Sequence, residues 1–294
     1  MSWRTVVITT RCKLDLNMGF MVIRGEDTKR IFLDEIALLL IENPAVSFTG
    51  CLLEALVEKK IRVVFCDSKR SPLAELAPYY GAHDSSRKIR TQVAWTDAIK
   101  GMVWADIISE KIRKQASFLE ELGKTKEAEL ISSYLGQIEF YDTTNREGHA
   151  AKVYFNGVFG MDFTRSAECP VNAALNYGYS VILSAFNREI TACGYLTQLG
   201  IFHSNMFNHY NLSCDLMEPF RILVDRRVHA MKIIDFDSQD KRALWNILND
   251  YVQIGGAKQT LLNAIKLYTH SVFEALNDGD VSKIKFYQPI KGEK

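Results

Sequence analysis

The chain has 294 residues, of which 47% are apolar and 24% are charged, a composition that excludes a disordered chain and allows a substantial core. Lysine and arginine number 36 against 35 acidic residues, so the net charge of +1 gives no whole-chain indication of nucleic-acid binding, which would depend on local patches. The longest apolar run, residues 36–41, is far too short to cross a membrane, and the N-terminus lacks the pattern of a signal peptide.

The first part of the chain is rich in β-branched and alternating residues. Thr49 is a candidate N-cap for a short amphipathic helix that ends near Lys59. Residues 67–84 contain Pro72, Pro78 and Gly81, which is typical of a linker between domains. Strands are predicted at residues 5–9, 14–17, 20–23, 29–33, 36–41, 46–48 and 61–66.

Beyond the linker, apolar residues recur at helical spacing. Strands first and helices second indicate segregated domains rather than alternating βαβ units. The predicted fold class is therefore α+β, with a β-rich domain over residues 1–75, a linker over 76–90 and a larger all-α domain over 91–294. Helices are predicted at residues 93–122, 124–138, 171–193, 219–233, 241–248 and 257–276.

The cysteines lie among apolar residues and form no CxxC pair, which argues against a zinc ribbon. This pattern is typical of small buried side chains in a reduced compartment, so we expect a cytoplasmic protein. The six residues are Cys12, Cys51, Cys66, Cys169, Cys193 and Cys214.

Three local motifs contain residues that are able to hold a divalent cation. Glu147 lies in Asn-Arg-Glu-Gly-His, His203 lies in Gly-Ile-Phe-His-Ser-Asn, and Glu218 lies in Asp-Leu-Met-Glu-Pro-Phe-Arg. Two carboxylates and one imidazole can bind such a cation, and the bound cation can activate a phosphodiester for attack. The motifs therefore predict a metal site for phosphodiester chemistry.

Each candidate also has a structural interpretation. Glu147 fits a carboxylate at the N-terminus of a helix, and His203 fits a hydrogen-bonded loop histidine. His149 and His209 are competing imidazoles at the same two places.

Asp215 and Glu218 are three residues apart, and two interpretations of this spacing stay open. It puts both carboxylates on one helical face, and it is also the spacing of a capping box. Pro219 disfavours helical geometry at Glu218.

Basic residues form two local groups, one after the linker and one after Glu218. In a phosphodiester enzyme such residues hold phosphates, whereas the alternative is an ordinary solvated helix face. No GxxxxGK[ST], GxGxxG or GxSxG motif is present, so a nucleotide-binding loop and a hydrolase elbow have no support. The candidates for DNA contact are Arg87, Lys88, Arg90, Arg221, Arg226 and Arg227.

Together these motifs resemble the CRISPR-associated adaptation integrase, the family that inserts new spacers into a CRISPR array. The resemblance covers nearly the whole chain and includes the start Trp-Arg-Thr-Val-Val-Ile and the segment Pro-Val-Asn-Ala-Ala-Leu-Asn-Tyr-Gly-Tyr at residues 170–179. The N-terminal sequence is similar to the version found in type II systems. The resemblance implies an N-terminal β domain and a C-terminal helical domain, in agreement with the predicted order of elements.

The resemblance also implies a site. By motif, Glu147, His203 and Glu218 are its catalytic residues and the ligands of Mg²⁺ or Mn²⁺. Asp215 matches an acidic position that supports the site in some members, and it is a further candidate ligand. The implied chemistry is a metal-assisted transesterification, in which a 3′ hydroxyl of a short duplex attacks a phosphodiester of the array.

The resemblance implies an assembly as well. Family members are homodimers, and two dimers flank a dimer of a small partner subunit to give a heterohexamer that binds double-stranded DNA. Two alternatives stay open on the residues alone. One is a metal-dependent nuclease without strand transfer, and the other is a non-catalytic DNA-binding scaffold.

Overall fold

A computed structural model describes residues 4–68, 70, 72–76 and 82–290, and it separates a β-rich N-terminal part from a larger helical part. The strands are Arg4–Ile8 (β1), Cys12–Asn17 (β2), Phe20–Arg24 (β3), Thr28–Phe32 (β4), Ile36–Ile41 (β5), Val46–Phe48 (β6), Arg62–Cys66 (β7), Pro72–Leu76 (β8), Tyr251–Ile254 (β9) and Ala257–Thr260 (β10). The helices are Gly50–Glu58 (α1), Ser85–Val93 (α2), Asp97–Glu121 (α3), Thr125–Ser133 (α4), Arg146–Phe159 (α5), Pro170–Ala192 (α6), Asn211–Met217 (α7), Arg221–Met231 (α8), Ser238–Trp245 (α9) and Leu261–Asp278 (α10). The predicted α+β class is confirmed.

The N-terminal part contains two four-stranded sheets. The first has the order β1-β5-β7-β8, with β8 antiparallel to its neighbour and the other pairs parallel. The second has the order β4-β3-β2-β6, in which the β2–β6 pair is parallel and the other two pairs are antiparallel. Helix α1 contacts β2 and β7, and its predicted N-cap is confirmed because the Thr49 side chain accepts the N–H of Leu52.

Strand β5 is the element that joins the two parts of the chain. All six of its residues are buried, because both faces of the first sheet are covered. Ile36, Leu39 and Ile41 pack into the core of the β-rich part, whereas residues from the opposite face belong to the core of the helical part. This second group is Ala37, Leu38 and Leu40 of β5 with Val64 and Cys66 of β7.

The helical part is built around two long helices. Helix α3 contacts α4, α5 and α10, and α6 contacts α7, α8, α9 and α10. The first long helix begins later than predicted, since the Thr96 side chain caps α3 by accepting the N–H of Ile99 and the preceding residues form the separate helix α2. Helix α2 therefore occupies the second half of the predicted linker, whose residues 77–81 lie outside the described residues.

The helical part also contains a hairpin, so its description as all-α is corrected in this detail. Strands β9 and β10 pair antiparallel, and Gly255 and Gly256 form the turn with φ values of 60° and 79°. Such a turn requires positive φ at both central residues, which glycine adopts without strain. The prediction of a helix from residue 257 is wrong by four residues, because β10 precedes the Thr260 N-cap of α10.

The environment of the cysteines differs from the expectation. Cys12 and Cys66 are buried, but Cys51 is exposed and the remaining three are partly exposed, with all six unpaired. Across the described ranges, no helix is long and apolar enough to span a membrane.

Candidate active site

Glu147 lies at the start of α5, directly after a strained turn. Tyr141, Asp142 and Asn145 all have left-handed backbone conformations, with φ values of 57°, 48° and 52°. The buried Asp142 carboxylate accepts the backbone N–H of Arg146 at 2.8 Å and that of Glu147 at 2.9 Å. These bonds satisfy two of the free N–H groups at the helix start and fix the backbone of Glu147. Left-handed non-glycine residues are costly and concentrate at functional sites.

Glu218 lies where α7 turns into a short 3-10 helix, and its carboxylate is almost completely buried. One oxygen accepts Arg221 Nε at 2.9 Å, and the other accepts Lys111 Nζ at 2.5 Å. Burial alone would raise the pKa of Glu218, but Arg221 and Lys111 outweigh it and lower this pKa to about 2. The carboxylate is therefore held ionised.

Lys111 joins the two carboxylates that the sequence predicted to share a cation. Its side chain projects from α3, is buried, and donates to both Glu147 and Glu218. A single ammonium thus contacts residues that are far apart in sequence. The structure brings Glu147 and Glu218 together, with a positive charge between them.

His203 is fixed by a completely buried aspartate. Asp215 accepts the backbone N–H groups of Ile201 at 2.6 Å, Phe202 at 3.0 Å and His203 at 3.1 Å. It also contacts the His203 ring at Nδ1, 2.5 Å away, which leaves Nε2 as the nitrogen able to accept or ligate. This hydrogen bond, and then the charges of Asp215, Glu218 and Glu147, raise the pKa of His203 against the opposing effect of burial. The two predicted carboxylates therefore lie within electrostatic range of the imidazole.

These contacts decide between the interpretations of Asp215. Helix α7 begins at Asn211, so Asp215 is inside the helix and the capping-box interpretation is wrong. Each of its oxygens already accepts two donors, so it is also a poor candidate for a metal ligand. Its role is to hold the loop before it. A Cβ at Gly200 would lie 2.7 Å from its carboxylate, so only glycine fits there.

Two cavities open on the site. A groove of about 780 Å³ is lined by His203, Phe202 and Tyr141, and a pocket of about 230 Å³ is lined by Lys111 and both carboxylates. The Trp104 ring lies beneath the groove, stacked on Phe202 at 4.4 Å. His203 therefore lines one cavity while Glu147 and Glu218 line another. Within the described part of the chain, no three His, Cys, Asp or Glu side chains converge tightly enough to hold a metal ion as they stand.

The smaller pocket contains two arginines on one aromatic ring. Arg221 lies 4.7 Å and Arg165 lies 5.4 Å from the centre of the Tyr179 ring. Arg165 also donates to Asn172 and to Asn176, the latter at 2.7 Å. The sequence analysis missed Arg165. The available signal was the helical spacing of Asn172 and Asn176, which places both side chains on the helix face that Arg165 contacts.

The predicted DNA-contact residues fall into two kinds. Helix α2 carries Arg87, Lys88 and Arg90. Arg87 is well exposed beside Asp84, and Arg90 is exposed, with no side-chain hydrogen bond or ion pair to the described residues. In contrast, Arg226 makes two hydrogen bonds to Glu121, and Arg227 pairs with Asp250 at 2.5 Å. Both guanidinium groups are thus engaged in ion pairs at partly exposed positions.

The family described as "CRISPR associated protein Cas1" matches residues 5–241 of the chain. The chain belongs to the Cas1 family. The resemblance predicted from the motifs is therefore confirmed.

Individual Cas1 relatives agree with the family match. The chain is 34% identical over 229 residues to the CRISPR-associated endonuclease Cas1 of Neisseria meningitidis serogroup C (strain 8013), which covers 78% of this chain and 75% of that protein. A casposase bound to its integration product has a TM-score of 0.78 at 17% identity, covering 96% of this chain and 94% of that one. A Cas6-RT-Cas1–Cas2 complex has a TM-score of 0.73 at 17% identity, covering 99% of this chain and 36% of that one. The two structures show a shared fold.

Proposed function

We propose that this Cas1-family protein is a metal-dependent DNA integrase and endonuclease that joins short duplexes to a CRISPR array. The observation that carries the proposal is a pair of carboxylates, the buried Glu218 and the partly buried Glu147, which share the Lys111 ammonium within electrostatic range of the His203 imidazole. The endonuclease name of the Neisseria relative and the integration product held by the casposase support the same chemistry.

The donor set suits a small divalent cation. Glu147 and Glu218 already bind the ammonium of Lys111, and the contact of Asp215 with Nδ1 of His203 leaves Nε2 able to ligate. Together these residues would hold Mg²⁺ or Mn²⁺. When bound, the ion would supply positive charge to the reacting phosphate.

The remaining polar side chains of the pocket suit the phosphate itself. Arg165 and Arg221 are the guanidinium groups of this pocket, and such groups bind phosphate oxygens in pairs of hydrogen bonds. The 3′ oxygen of the incoming strand forms one P–O bond while the target strand's P–O bond breaks, so the number of phosphodiesters is unchanged and no energy source is needed. Water as the nucleophile would give hydrolysis at the same site, which is the nuclease alternative.

The assembly proposed for this chain follows its relatives. One structural neighbour is a complex that contains Cas1 and Cas2. We expect two homodimers of this chain to flank a small Cas2-like subunit, and the heterohexamer to bind double-stranded DNA.

A joining assay tests the proposal. A labelled short duplex and a supercoiled array plasmid are incubated with the protein, its small partner subunit and Mn²⁺, and joined products are separated from nicked plasmid. Glu218→Gln should abolish joining. Glu110→Gln is the matched control, because Glu110 is equally buried against a lysine, Lys114, but lies outside the pocket.

Normal joining by Glu218→Gln would show that the site is assigned wrongly. Cleavage without joined product in the unmodified protein would favour the nuclease alternative, and neither cleavage nor joining would favour the scaffold.

A further inference from the structure

The position of Lys111 raises a question that the metal site alone does not answer. Its ammonium contacts the facing oxygens of Glu147 and Glu218, which is where a cation shared by these carboxylates has to lie. The side chain is buried, so the position results from the packing of α3 rather than from a surface ion pair. The two carboxylates therefore already have a cation.

Charge balance indicates that the ammonium and a divalent ion exclude each other. Lys111 and Arg221 together neutralise Glu147 and Glu218. A divalent ion placed beside the ammonium in a site with little water would add a strong repulsion, since charges a few ångströms apart interact by several kcal/mol at an effective dielectric constant of about 20. Removing the ammonium without a replacement would instead leave the partly buried Glu147 without its lysine and the buried Glu218 with Arg221 alone.

The pocket offers the displaced ammonium a second position. Gln115 lies one helical turn further along α3 and lines the same pocket. It is 3% exposed, and its side-chain oxygen is buried without a hydrogen-bond donor among the described residues. A buried ammonium needs a hydrogen-bond acceptor, and the Gln115 side-chain oxygen is an acceptor without a donor, one helical turn from Lys111.

We propose that Lys111 is a built-in competitor of the divalent cation, which closes the Glu147–Glu218 pair in the metal-free protein and moves to Gln115 when the ion enters. The proposal rests on the metal site proposed above. The ammonium of Lys111 then stabilises the metal-free protein and, by the same contacts, lowers the affinity for metal. Lys111 is thus the counter-ion of the two carboxylates in the metal-free protein and the hydrogen-bond partner of Gln115 in the loaded one.

Equilibrium Mn²⁺ binding to the full chain without DNA tests this directly, with free Mn²⁺ measured by electron paramagnetic resonance. Lys111→Met should bind Mn²⁺ at least about tenfold more tightly than the unmodified protein, because the competing charge is gone. Gln115→Leu should bind it more weakly, because the displaced ammonium loses its acceptor. Lys114→Met is the matched control and should stay within about twofold, since this buried lysine pairs with Glu110 outside the pocket.

Thermal unfolding provides the second readout. In EDTA, Lys111→Met should melt below the unmodified protein, and Mn²⁺ should raise its Tm by more than it raises that of the unmodified protein. If the variant is unfolded in EDTA, refolding on addition of Mn²⁺ supports the proposal, and failure to refold overturns it.

The outcomes separate this inference from the metal site. Mn²⁺ binding by the unmodified protein, with equal or weaker binding by Lys111→Met, would overturn the competition alone. Unchanged binding by Gln115→Leu would remove the second position of the ammonium. Absence of binding to the unmodified protein above that of Glu218→Gln would overturn both proposals.

Discussion

Buried aspartates fix two of the three candidate ligands. Asp142 holds the backbone of Glu147, and Asp215 holds the loop and the ring of His203. Both aspartates use their carboxylate oxygens to accept N–H donors. Groups of this kind set the orientation of ligands and the affinity of the site.

Asp215→Asn tests this positioning at the level of one atom pair. The amide cannot accept from all four donors, so the loop before His203 should shift. We expect Mn²⁺ affinity and strand transfer to fall by about 10- to 100-fold. Both quantities are measured for this variant and for the control Asp237→Asn, which alters the N-cap of α9. An unchanged Mn²⁺ affinity would show that the position of His203 does not depend on Asp215.

Asp225 gives a prediction for pH. It is buried and accepts hydrogen bonds from the hydroxyls of Tyr154 and Tyr179. Burial raises its pKa to about 6, against an ordinary value of 3.8, so the folded state binds the proton more tightly than the unfolded chain does. Stability from this group is therefore gained as the pH falls through 6 and is absent well above it.

Comparison with Asp225→Asn isolates that contribution. Relative to the variant, the unmodified protein should gain roughly 1 kcal/mol in the free energy of unfolding between about pH 7.5 and about pH 5. Urea unfolding at both pH values measures the difference. A difference that is independent of pH would contradict the raised pKa.

At the scale of elements, the basic residues of α2 and those of α8 have different surroundings. Arg87 and Arg90 of α2 are exposed and Lys88 lies over the Tyr195 ring, whereas Arg226 and Arg227 of α8 are paired with Glu121 and Asp250. Phosphate binding by the α8 pair would first have to break these ion pairs. We therefore expect the electrostatic contribution to DNA binding to come mainly from α2.

The salt dependence of DNA affinity tests this division. Neutralising Arg87, Lys88 and Arg90 together with glutamine should reduce the slope of log Kd against log salt by up to about 3, since each phosphate contact contributes about 0.9. The same change at Arg226 and Arg227 should leave the slope unchanged. Fluorescence anisotropy of a labelled duplex over a range of salt measures both, and a flat dependence in the unmodified protein would exclude phosphate-driven binding.

Sequence patterns predicted elements better than boundaries and contacts. The run at 36–41 predicted a strand correctly, because no polar residue interrupts it. The hairpin before α10 was missed, since only pairing with β9 distinguishes β10 from a first helical turn. Lys111 was missed for a related reason: a lysine in an amphipathic helix resembles a solvated residue until distant parts of the chain bring Glu147 and Glu218 to it.

At the scale of the whole molecule, the N-terminal part presents an apolar patch at the end of its second sheet. Met18 is 91% exposed, and Phe20 and Phe32 are 36% and 38% exposed with their ring centres 5.2 Å apart. Such a patch at the edge of a small β domain is suited to association. We predict that it contributes to a homodimer.

Point substitution is the appropriate test of the dimer. Deleting the β-rich part would expose the core of the helical part, because β5 and β7 contribute to it. Phe20→Glu with Phe32→Glu should convert a dimer to a monomer in light scattering at about micromolar concentration. Leu130→Glu, on an exposed position of α4, is the control. A dimer that survives the double change, or a monomeric unmodified protein, would contradict the prediction.

The shared strand β5 has a consequence for how the chain is made. The sheet face that carries Leu38, Leu40 and Val64 belongs to the helical core, with β8 against α6 and β1 against residues 246–249. About 180 residues separate Cys66 from Asn249, so at about 5–20 residues per second a ribosome takes roughly 10 to 40 s to supply the covering segments. During that interval the nascent sheet is apolar on a bare face. We expect chains truncated before residue 246 to be recovered with chaperones or in inclusion bodies.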